Sequence, residues 1–200
     1  MDFALDKNFY GALSVVISLY ASSTYIYGLW KYKFRPHMFT WIIWTLLTGI
    51  AFVAQWSDSA GAGSWVMAVS TIVCAMISAY ACFAGEKNIT RGDWMTFLAA
   101  LMAIPVWMAT NNPLYAVILV TAIDALGFYP TFRKSWRDPY SDSAFSFALH
   151  AVKFIPSIFA MEKFSAVNLT YPLALVALNG GFAVMLVMRR KIVTQNRMAS

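Results

Sequence analysis

The sequence predicts an all-α membrane protein with seven transmembrane helices, and three observations lead to this prediction. Hydrophobic residues make up 60% of the 200 residues and charged residues only 12%, which leaves too little polar surface for a water-soluble fold. The hydrophobic residues form seven runs, each near the ~20 residues that a helix needs to cross a bilayer. Lys and Arg residues gather in alternate gaps between these runs. We therefore expect residues 1–200 to form a single polytopic membrane domain.

The seven runs account for almost all of the chain. In chain order they cover residues 9–30, 37–55, 63–84, 93–110, 112–132, 143–161 and 167–188. The longest gap between them is about ten residues, so no soluble catalytic domain fits between the helices. The first run is too long for a signal peptide and lacks a small-residue cleavage site, so we expect a retained helix. We predict that the protein is not an enzyme and that its function lies within the bilayer.

The positive charges predict which end of each helix faces the cytoplasm. Three Lys or Arg residues follow run one, two follow run three, three follow run five and four lie in the C-terminal tail. The remaining gaps and the N-terminal tail hold only Lys7 and Lys163. Because cationic loops stay on the cytoplasmic side, the N-terminus is predicted outside and the C-terminus in the cytoplasm, which requires an odd number of crossings. This orientation explains the net charge of +6, so no nucleic-acid partner is expected.

Three ionisable side chains fall inside the runs, near the predicted centre of the bilayer. Asp124 lies in run five, and His150 and Lys153 lie in run six, three residues apart on one helical face. Asn179 in run seven, which two glycines follow, falls at the same depth. A charge at the bilayer centre costs at least ~2.5 kcal/mol, so these side chains are expected to face the bundle interior and to converge there.

Two interpretations of these four side chains are open. In the functional one, all four bind a substrate or a proton, and His150 beside a carboxylate supplies proton coupling. In the structural one, Asp124 and Lys153 form an ion pair, while His150 and Asn179 hydrogen-bond between helices. No cluster of His, Asp and Glu has the spacing of a metal site, so neither a metal nor another cofactor is predicted.

Further positions inside the runs bear on the same region. Trp44, near the cytoplasmic end of run two, is deep enough to line a cavity and is suited to stacking on a sugar or a heterocycle. Pro156 lies just beyond Lys153, lacks a backbone donor and is expected to bend the helix that carries the site. Cys74 and Cys82 are about 12 Å apart along run three, too far for a disulfide, and are interpreted as small apolar packing residues.

The chain contains an internal repeat with a shift of 103 residues. This shift aligns Lys31 with Lys134 and Pro36 with Pro139, so runs one to three correspond to runs five to seven. Three crossings invert the chain and one linking helix restores its orientation, so the repeat is parallel, as in three-plus-one-plus-three carriers. The predicted units are the first three-helix repeat 9–84, the linker helix 93–110 and the second three-helix repeat 112–188.

Residues 130–137, Pro-Thr-Phe-Arg-Lys-Ser-Trp-Arg, are followed by Ser141-Asp142-Ser143 and an apolar run. This segment resembles the PQ-loop motif of the superfamily that contains SWEET, SemiSWEET, cystinosin and the KDEL receptor. In that motif a helix ends in Pro-Gln, a basic stretch follows and a Ser-rich turn opens the next helix. Thr131 stands where the motif has Gln, and Tyr27 stands where the first repeat would carry its proline, so the first copy is degenerate.

The resemblance implies a SWEET-like bundle of three, one and three helices with the N-terminus outside. It also implies an alternating-access carrier in which Pro130 is a hinge, and we extend the hinge role to Pro156 because it adjoins Lys153. The segment Trp41-Ile-Ile-Trp44 is similar to the WxxW motif of PnuC-type vitamin transporters, which share this architecture.

These features predict a membrane carrier or facilitator for a small polar solute such as an amino acid or a sugar, with proton coupling as an option. The runner-up is a PnuC-like facilitator of a vitamin such as nicotinamide riboside. A retinal-type photoreceptor that uses Lys153, and a membrane receptor without transport, are further alternatives. We expect an integral protein of the bacterial inner (plasma) membrane that contacts lipids and its solute. A monomer is sufficient for such a cavity, and a homo-oligomer is compatible with it.

Overall fold

The structure, a computed structural model, describes residues 6–32, 36, 38–85, 91–137, 139–140 and 143–199. These residues are helical or lie in short turns, and no β-strand occurs among them. The all-α fold is therefore confirmed. The helices are α1 (Lys7–Tyr32), α2 (Met38–Ser57), a short 3-10 helix (Gly61–Ser64), α3 (Trp65–Ala84), α4 (Arg91–Thr110), α5 (Pro113–Arg137), α6 (Ala144–Val152), α7 (Phe154–Phe159) and α8 (Ala166–Ala199).

Among the described residues, four helical segments are long and apolar enough to cross a membrane: Lys7–Lys31, Thr40–Ser57, Gly61–Ala84 and Ala166–Gln195. The same residues include three shorter apolar segments, Phe97–Thr110, Pro113–Phe128 and Ala144–Phe159. The length and composition of the helices are thus compatible with a helical membrane protein. The seven crossings and their orientation stay predictions.

Helix α5 does not end where the sequence predicted. The PQ-loop resemblance places a helix end at Pro130, but the helical backbone of α5 continues through that position to Arg137. The expected boundary is wrong because one proline removes only one backbone donor, and a transmembrane helix tolerates that loss. The side chain of Pro130 and the motif residues Ser141 and Asp142 lie outside the described part of the chain.

The predicted sixth run is divided at Lys153 into α6 and α7. Pro156 has no N–H, so the carbonyl of Val152 cannot receive the usual bond from four residues ahead. Lys153 keeps a right-handed helical backbone (φ −59°, ψ −28°), so the interruption breaks the hydrogen-bond ladder more than it turns the axis. The site helix is therefore weakened at the position that carries the lysine.

The turns group at two ends of the bundle. At the N-terminal end, the start of α1 meets the α2–α3 and α7–α8 connections, where the Glu162 N–H donates to the Ala60 carbonyl at 3.1 Å. The basic end comprises the C-terminal ends of α1, α3 and α5 and the middle of α8. There the Arg189 Nη2 donates to the Trp136 carbonyl at 3.0 Å and the Arg190 Nε to the Pro139 carbonyl at 2.9 Å.

The helices form two triplets with the same neighbour relations. In the first triplet α3 packs against α1 and α2, and in the second triplet α8 packs against α5 and the α6–α7 pair. Between the triplets, α1 packs against α6 and α7, and α2 packs against α5. Helix α4 packs against α5 and α2. Exchanging α1, α2 and α3 for α5, α6–α7 and α8 leaves the contacts within and between the triplets unchanged, whereas the contacts of α4 do not follow this exchange.

The central apolar core joins both triplets in the half of the bundle near the N-terminal end. Ala51 and Ala54 of α2 pack there with Met67 of α3, Phe154 of α7 and Val167 of α8, all of which are buried. The two triplets are therefore in close apolar contact in this half of the bundle.

Candidate functional site

A cavity of about 650 Å³ lies between the two triplets, between the central core and the basic end. Its volume falls within the range of ~300–1,000 Å³ that is usual for small-molecule sites. It reaches the surface at the basic end, where Tyr140 and Ser143 are exposed. The lining residues are Ser22, Tyr25, Trp41, Trp44, Thr48, Ser70, Val73, Cys74, Ile77, Asp124, Phe128, Tyr140, Ser143, Ser146, Phe147, His150, Lys153, Phe154, Tyr171, Leu175 and Asn179.

All five side chains that the sequence nominated for binding line this cavity. They come from four different places in the bundle, namely α2, α5, the α6–α7 junction with the preceding turn, and α8. Asp124 and Lys153 are only 5% and 6% exposed, and Asn179 is 7% exposed. The ionisable groups therefore face the interior, and the cavity gathers groups from both triplets.

Two neutral donors lie beside the carboxylate of Asp124. They are the indole N–H of Trp44 and the hydroxyl of Tyr171, and both side chains line the same cavity. Trp44 belongs to α2 in the first triplet, whereas Tyr171 belongs to α8 in the second. Asp124 of α5 thus has a neutral donor from each triplet beside it.

The ammonium group of Lys153 has a separate environment on another part of the wall. Its Nζ donates to the Ser70 Oγ of α3 at 3.1 Å and lies 4.8 Å from the centre of the Phe154 ring. Ser70 is 6% exposed, so this hydrogen bond is buried. Lys153, from the second triplet, is therefore linked to the first triplet through a neutral hydroxyl group.

The structural interpretation of an Asp124–Lys153 ion pair is wrong. Within the described part of the chain, the only ion pair with nitrogen and oxygen within 4.0 Å joins Lys163 to Asp58. The two charged side chains have different neutral neighbours in the same cavity. Cys74, interpreted from sequence as a packing residue, lies within electrostatic reach of both charges and lines the cavity.

His150 and Asn179 also differ from the structural interpretation. The Asn179 Nδ2 donates to the Leu175 carbonyl of its own helix at 2.8 Å, so it does not join two helices. The charged neighbour that acts on His150 is Lys153, and no carboxylate of the described residues lies within 4.0 Å of its ring nitrogens. The expected pairing of His150 with a carboxylate is therefore absent from this arrangement.

Aromatic side chains form the wall of the cavity towards the basic end. The Trp41 and Trp44 rings meet edge to face with centres 5.1 Å apart, and the Tyr25 ring lies 5.0 Å from that of Trp41. In the second triplet, the Phe128 and Phe147 rings meet edge to face with centres 6.2 Å apart. The cavity thus combines two isolated charges with a broad aromatic surface.

The N-terminal end is closed by polar contacts between the triplets. Lys163 forms an ion pair with Asp58, and the Ser165 hydroxyl donates a hydrogen bond to the same carboxylate. Burial opposes ionisation of Asp58, but the hydrogen bonds from Lys163 and Ser165 and the charge of Lys163 outweigh it and hold its pKa below the ordinary value. Close to these contacts, the Nε2 of the fully buried Gln55 donates a hydrogen bond to the Asn168 carbonyl at 3.1 Å.

Sequence reasoning missed several members of this site. Tyr171 is 2% exposed and completes the environment of Asp124, but tyrosines in an apolar run are common at interfaces and give no signal of their own. The Asp58–Lys163 contact joins two short connections that are 105 residues apart in sequence. A clue did exist, because these two residues carry opposite charges on the side of the bundle that has few charges.

No group of three or more His, Cys, Asp or Glu side chains in the described ranges is arranged to hold a metal ion. Comparisons of this chain with models of known protein families, with curated protein sequences and with solved structures give no match.

Proposed function

We propose that the protein is an integral membrane carrier or facilitator for a small polar solute, working by alternating access. The single observation that carries the proposal is the cavity between the two triplets, which opens at the basic end and is closed at the N-terminal end. A site that is lined by both halves of a bundle and open to one end is what a carrier needs in one of its two states.

The proposal includes seven crossings, with α6 and α7 acting together as one of them. The odd number agrees with the charge distribution, because the basic end then faces the cytoplasm and the N-terminal end faces outside. The inner (plasma) membrane of a bacterium is the proposed location. In this orientation the structure corresponds to a state that is open to the cytoplasm.

The proposed mechanism is a rocking of the second triplet against the first. Support comes from the equal neighbour relations of the two triplets, which agree with a parallel three-plus-one-plus-three repeat. The break of the helix at Lys153 supports Pro156 as a hinge, since a helix bends most easily where its hydrogen-bond ladder is interrupted. Pro130 is carried as a second hinge from the PQ-loop resemblance. One chain encloses the cavity, so a monomer suffices.

A vitamin carrier of the PnuC type is the second candidate. The aromatic cluster of Tyr25, Trp41 and Trp44 favours it, because a planar heterocycle would stack on these rings. The two candidates differ in what they need from the site. A vitamin would depend on the ring of Trp44 more than on the charge of Asp124, so Trp44→Ala would abolish its binding while Asp124→Asn would not.

The carrier function can be tested before the solute is identified. Purified protein is reconstituted into liposomes that contain a mixture of amino acids, sugars and nucleosides, and the solutes retained after dilution are measured by mass spectrometry. We expect at least one solute to escape faster than from protein-free liposomes. Asp124→Asn should slow this escape, whereas the control Asp6→Asn, at the exposed start of the chain, should behave as wild type.

Retention of every solute, in wild type as in protein-free liposomes, would contradict the carrier function. Equal rates of solute escape through wild type and Asp124→Asn would instead show that Asp124 is not part of the solute pathway.

A further inference from the structure

The cavity contains two buried charges of opposite sign that do not neutralise each other. Asp124 and Lys153 are 5% and 6% exposed and form no ion pair within 4.0 Å, either together or with another residue that the structure describes. Isolated charges in a region of low dielectric constant are unfavourable. Such a site is stabilised most by a ligand that brings a counter-charge to each of the two groups.

Both charged groups keep hydrogen-bonding capacity for a ligand. An ammonium group has three N–H donors, and Lys153 uses one of them on Ser70. A carboxylate has about four acceptor positions, and the two neutral donors beside Asp124, on Trp44 and Tyr171, can occupy at most two of them. Both charged groups therefore keep free positions for a ligand.

The two charges line the same cavity, and the thiol of Cys74 lies on its wall near both of them. A ligand that fills this cavity therefore reaches both groups. A sugar or a nucleoside is neutral and would leave both charges unpaired. A simple amine or a simple carboxylate would neutralise only one of them, whereas a zwitterion matches both.

The aromatic wall indicates what the rest of the ligand is like. Trp41, Trp44, Phe128 and Phe147 present ring surface to the same cavity, between the charges and the basic end. Aromatic rings contribute most to the free energy of binding when they bury other apolar or aromatic surface. The group attached to the zwitterion is therefore apolar and large enough to reach these rings.

We infer that the solute is a zwitterionic α-amino acid with an aromatic or large apolar side chain, an inference that rests on the proposed carrier function. Its ammonium group binds Asp124, its carboxylate binds Lys153 and Ser70, and its side chain packs against Trp41 and Trp44. The charges thus select the amino-acid backbone, and the aromatic wall selects the side chain.

Three related probes test this inference on the purified full chain: L-phenylalanine, phenethylamine, which lacks the carboxylate, and 3-phenylpropionate, which lacks the ammonium group. Binding is measured by titration calorimetry. We expect L-phenylalanine to bind roughly 30-fold or more tightly than either analogue, because each analogue leaves one buried charge unpaired. Since this comparison uses wild type alone, it stays decisive if a cavity variant does not fold.

Two cavity variants assign the ends of the ligand. Asp124→Asn should weaken binding of L-phenylalanine and phenethylamine but leave 3-phenylpropionate unchanged. Lys153→Met should weaken L-phenylalanine and 3-phenylpropionate but leave phenethylamine unchanged. The controls Asp6→Asn and Lys191→Met remove the same charges from exposed positions and should bind all three probes as wild type does.

Equal affinity of wild type for the three probes would overturn the inference, and so would tight binding of glucose or adenosine that neither cavity variant weakens. The liposome experiment separates this failure from failure of the carrier function. If a sugar or a nucleoside escapes from the liposomes and no amino acid does, the carrier function is supported and the zwitterionic solute is refuted. If the two cavity variants weaken binding of the probes as predicted but no solute escapes, the amino-acid site is supported and the carrier function is refuted.

Discussion

At the scale of single residues, the cavity keeps its two charges apart by giving each a neutral partner from the opposite triplet. Trp44 lies beside Asp124 across the interface, and Ser70 accepts a hydrogen bond from Lys153. A direct ion pair between Asp124 and Lys153, which both belong to the second triplet, would leave neither charge for a ligand. Neutral partners position the charges while leaving them free to bind a ligand.

The hydroxyl of Tyr171 lies beside the carboxylate of Asp124, and its loss should cost stability. We predict that Tyr171→Phe lowers the free energy of unfolding by about 1 kcal/mol, because a buried carboxylate loses a neighbouring donor. The control Tyr80→Phe, at an exposed position on α3, should change it by less than about 0.5 kcal/mol. Denaturant unfolding in detergent measures both, and equal effects of the two variants would refute the role of the hydroxyl.

The carboxylate of Asp58 should make closure of the N-terminal end depend on pH. Because its pKa is lowered in the folded state, its contribution to stability is present above the ordinary value of about 4 and is lost as pH falls through the lowered pKa. We predict that Asp58→Asn is less stable than wild type at pH 7 by up to ~1 kcal/mol, since Lys163 is largely exposed.

This difference should shrink as the pH falls below about 4, and unfolding curves at neutral and acid pH measure it. Lys163→Gln should cause a loss of similar size at pH 7. A difference between wild type and Asp58→Asn that is the same at neutral and at acid pH would show that the charge of Asp58 does not stabilise the closed end.

Sequence alone predicted the charged members of the site but not their partners. Asp124, His150 and Lys153 were recognised because ionisable side chains are rare in apolar runs and are expected to face the interior. Tyr171 and Ser70 could not be chosen in this way, because hydroxyl groups are common in such runs. Which of them meets a charge depends on how each helix is rotated about its axis.

At the scale of helices, apolar run length predicted where the helices lie but not where their backbones end or break. Helix α8 has 34 residues, about 51 Å, so its last turns extend beyond the apolar run, which a hydropathy pattern cannot register. The division at Lys153 follows from Pro156, which was expected to bend this helix. The end expected at Pro130 was not found, because a single missing donor does not terminate a helix.

Glycines mark where these helices come closest together. A methyl group on Gly63 would overlap the side chain of Met161 and lie 2.9 Å from the Ser157 carbonyl oxygen, whereas one on Gly180 would lie 3.7 Å from the Ala151 Cβ. We predict that Gly63→Ala lowers the free energy of unfolding by about 1–3 kcal/mol through overpacking at the N-terminal end.

The matched substitution Gly180→Ala should instead raise the free energy of unfolding by up to ~1 kcal/mol, because alanine is the better helix former and the space is sufficient. Thermal unfolding of the two variants beside wild type distinguishes these outcomes. Similar destabilisation by both substitutions would mean that the triplets pack differently near the N-terminal end.

At the scale of the whole molecule, the fold class was predictable and the arrangement of the helices was not. Composition and run length are sufficient to indicate an all-α membrane protein, because few other folds bury so much apolar surface. The order in which helices pack depends on side-chain contacts between runs that are far apart in sequence. Only the structure shows that the third helix of each triplet contacts the other two.

The same arrangement weighs against a photoreceptor. A retinal Schiff base on Lys153 would need a counter-ion, but Ser70 is its nearest polar partner and no described carboxylate lies within 4.0 Å of its Nζ. The cavity is also open to the basic end, which suits a diffusible solute better than a permanent chromophore.

The central claim is that one cavity is exposed in turn to the two sides of the membrane, and the thiol of Cys74 reports on it directly. The measurement is the rate at which a membrane-impermeant thiol reagent labels Cys74 in right-side-out and inside-out vesicles, in protein carrying Cys82→Ser. We predict labelling from both sides, faster from the basic end, with Lys163→Gln increasing the rate from the N-terminal end. Labelling from the basic end alone, in wild type and in Lys163→Gln, would contradict the account.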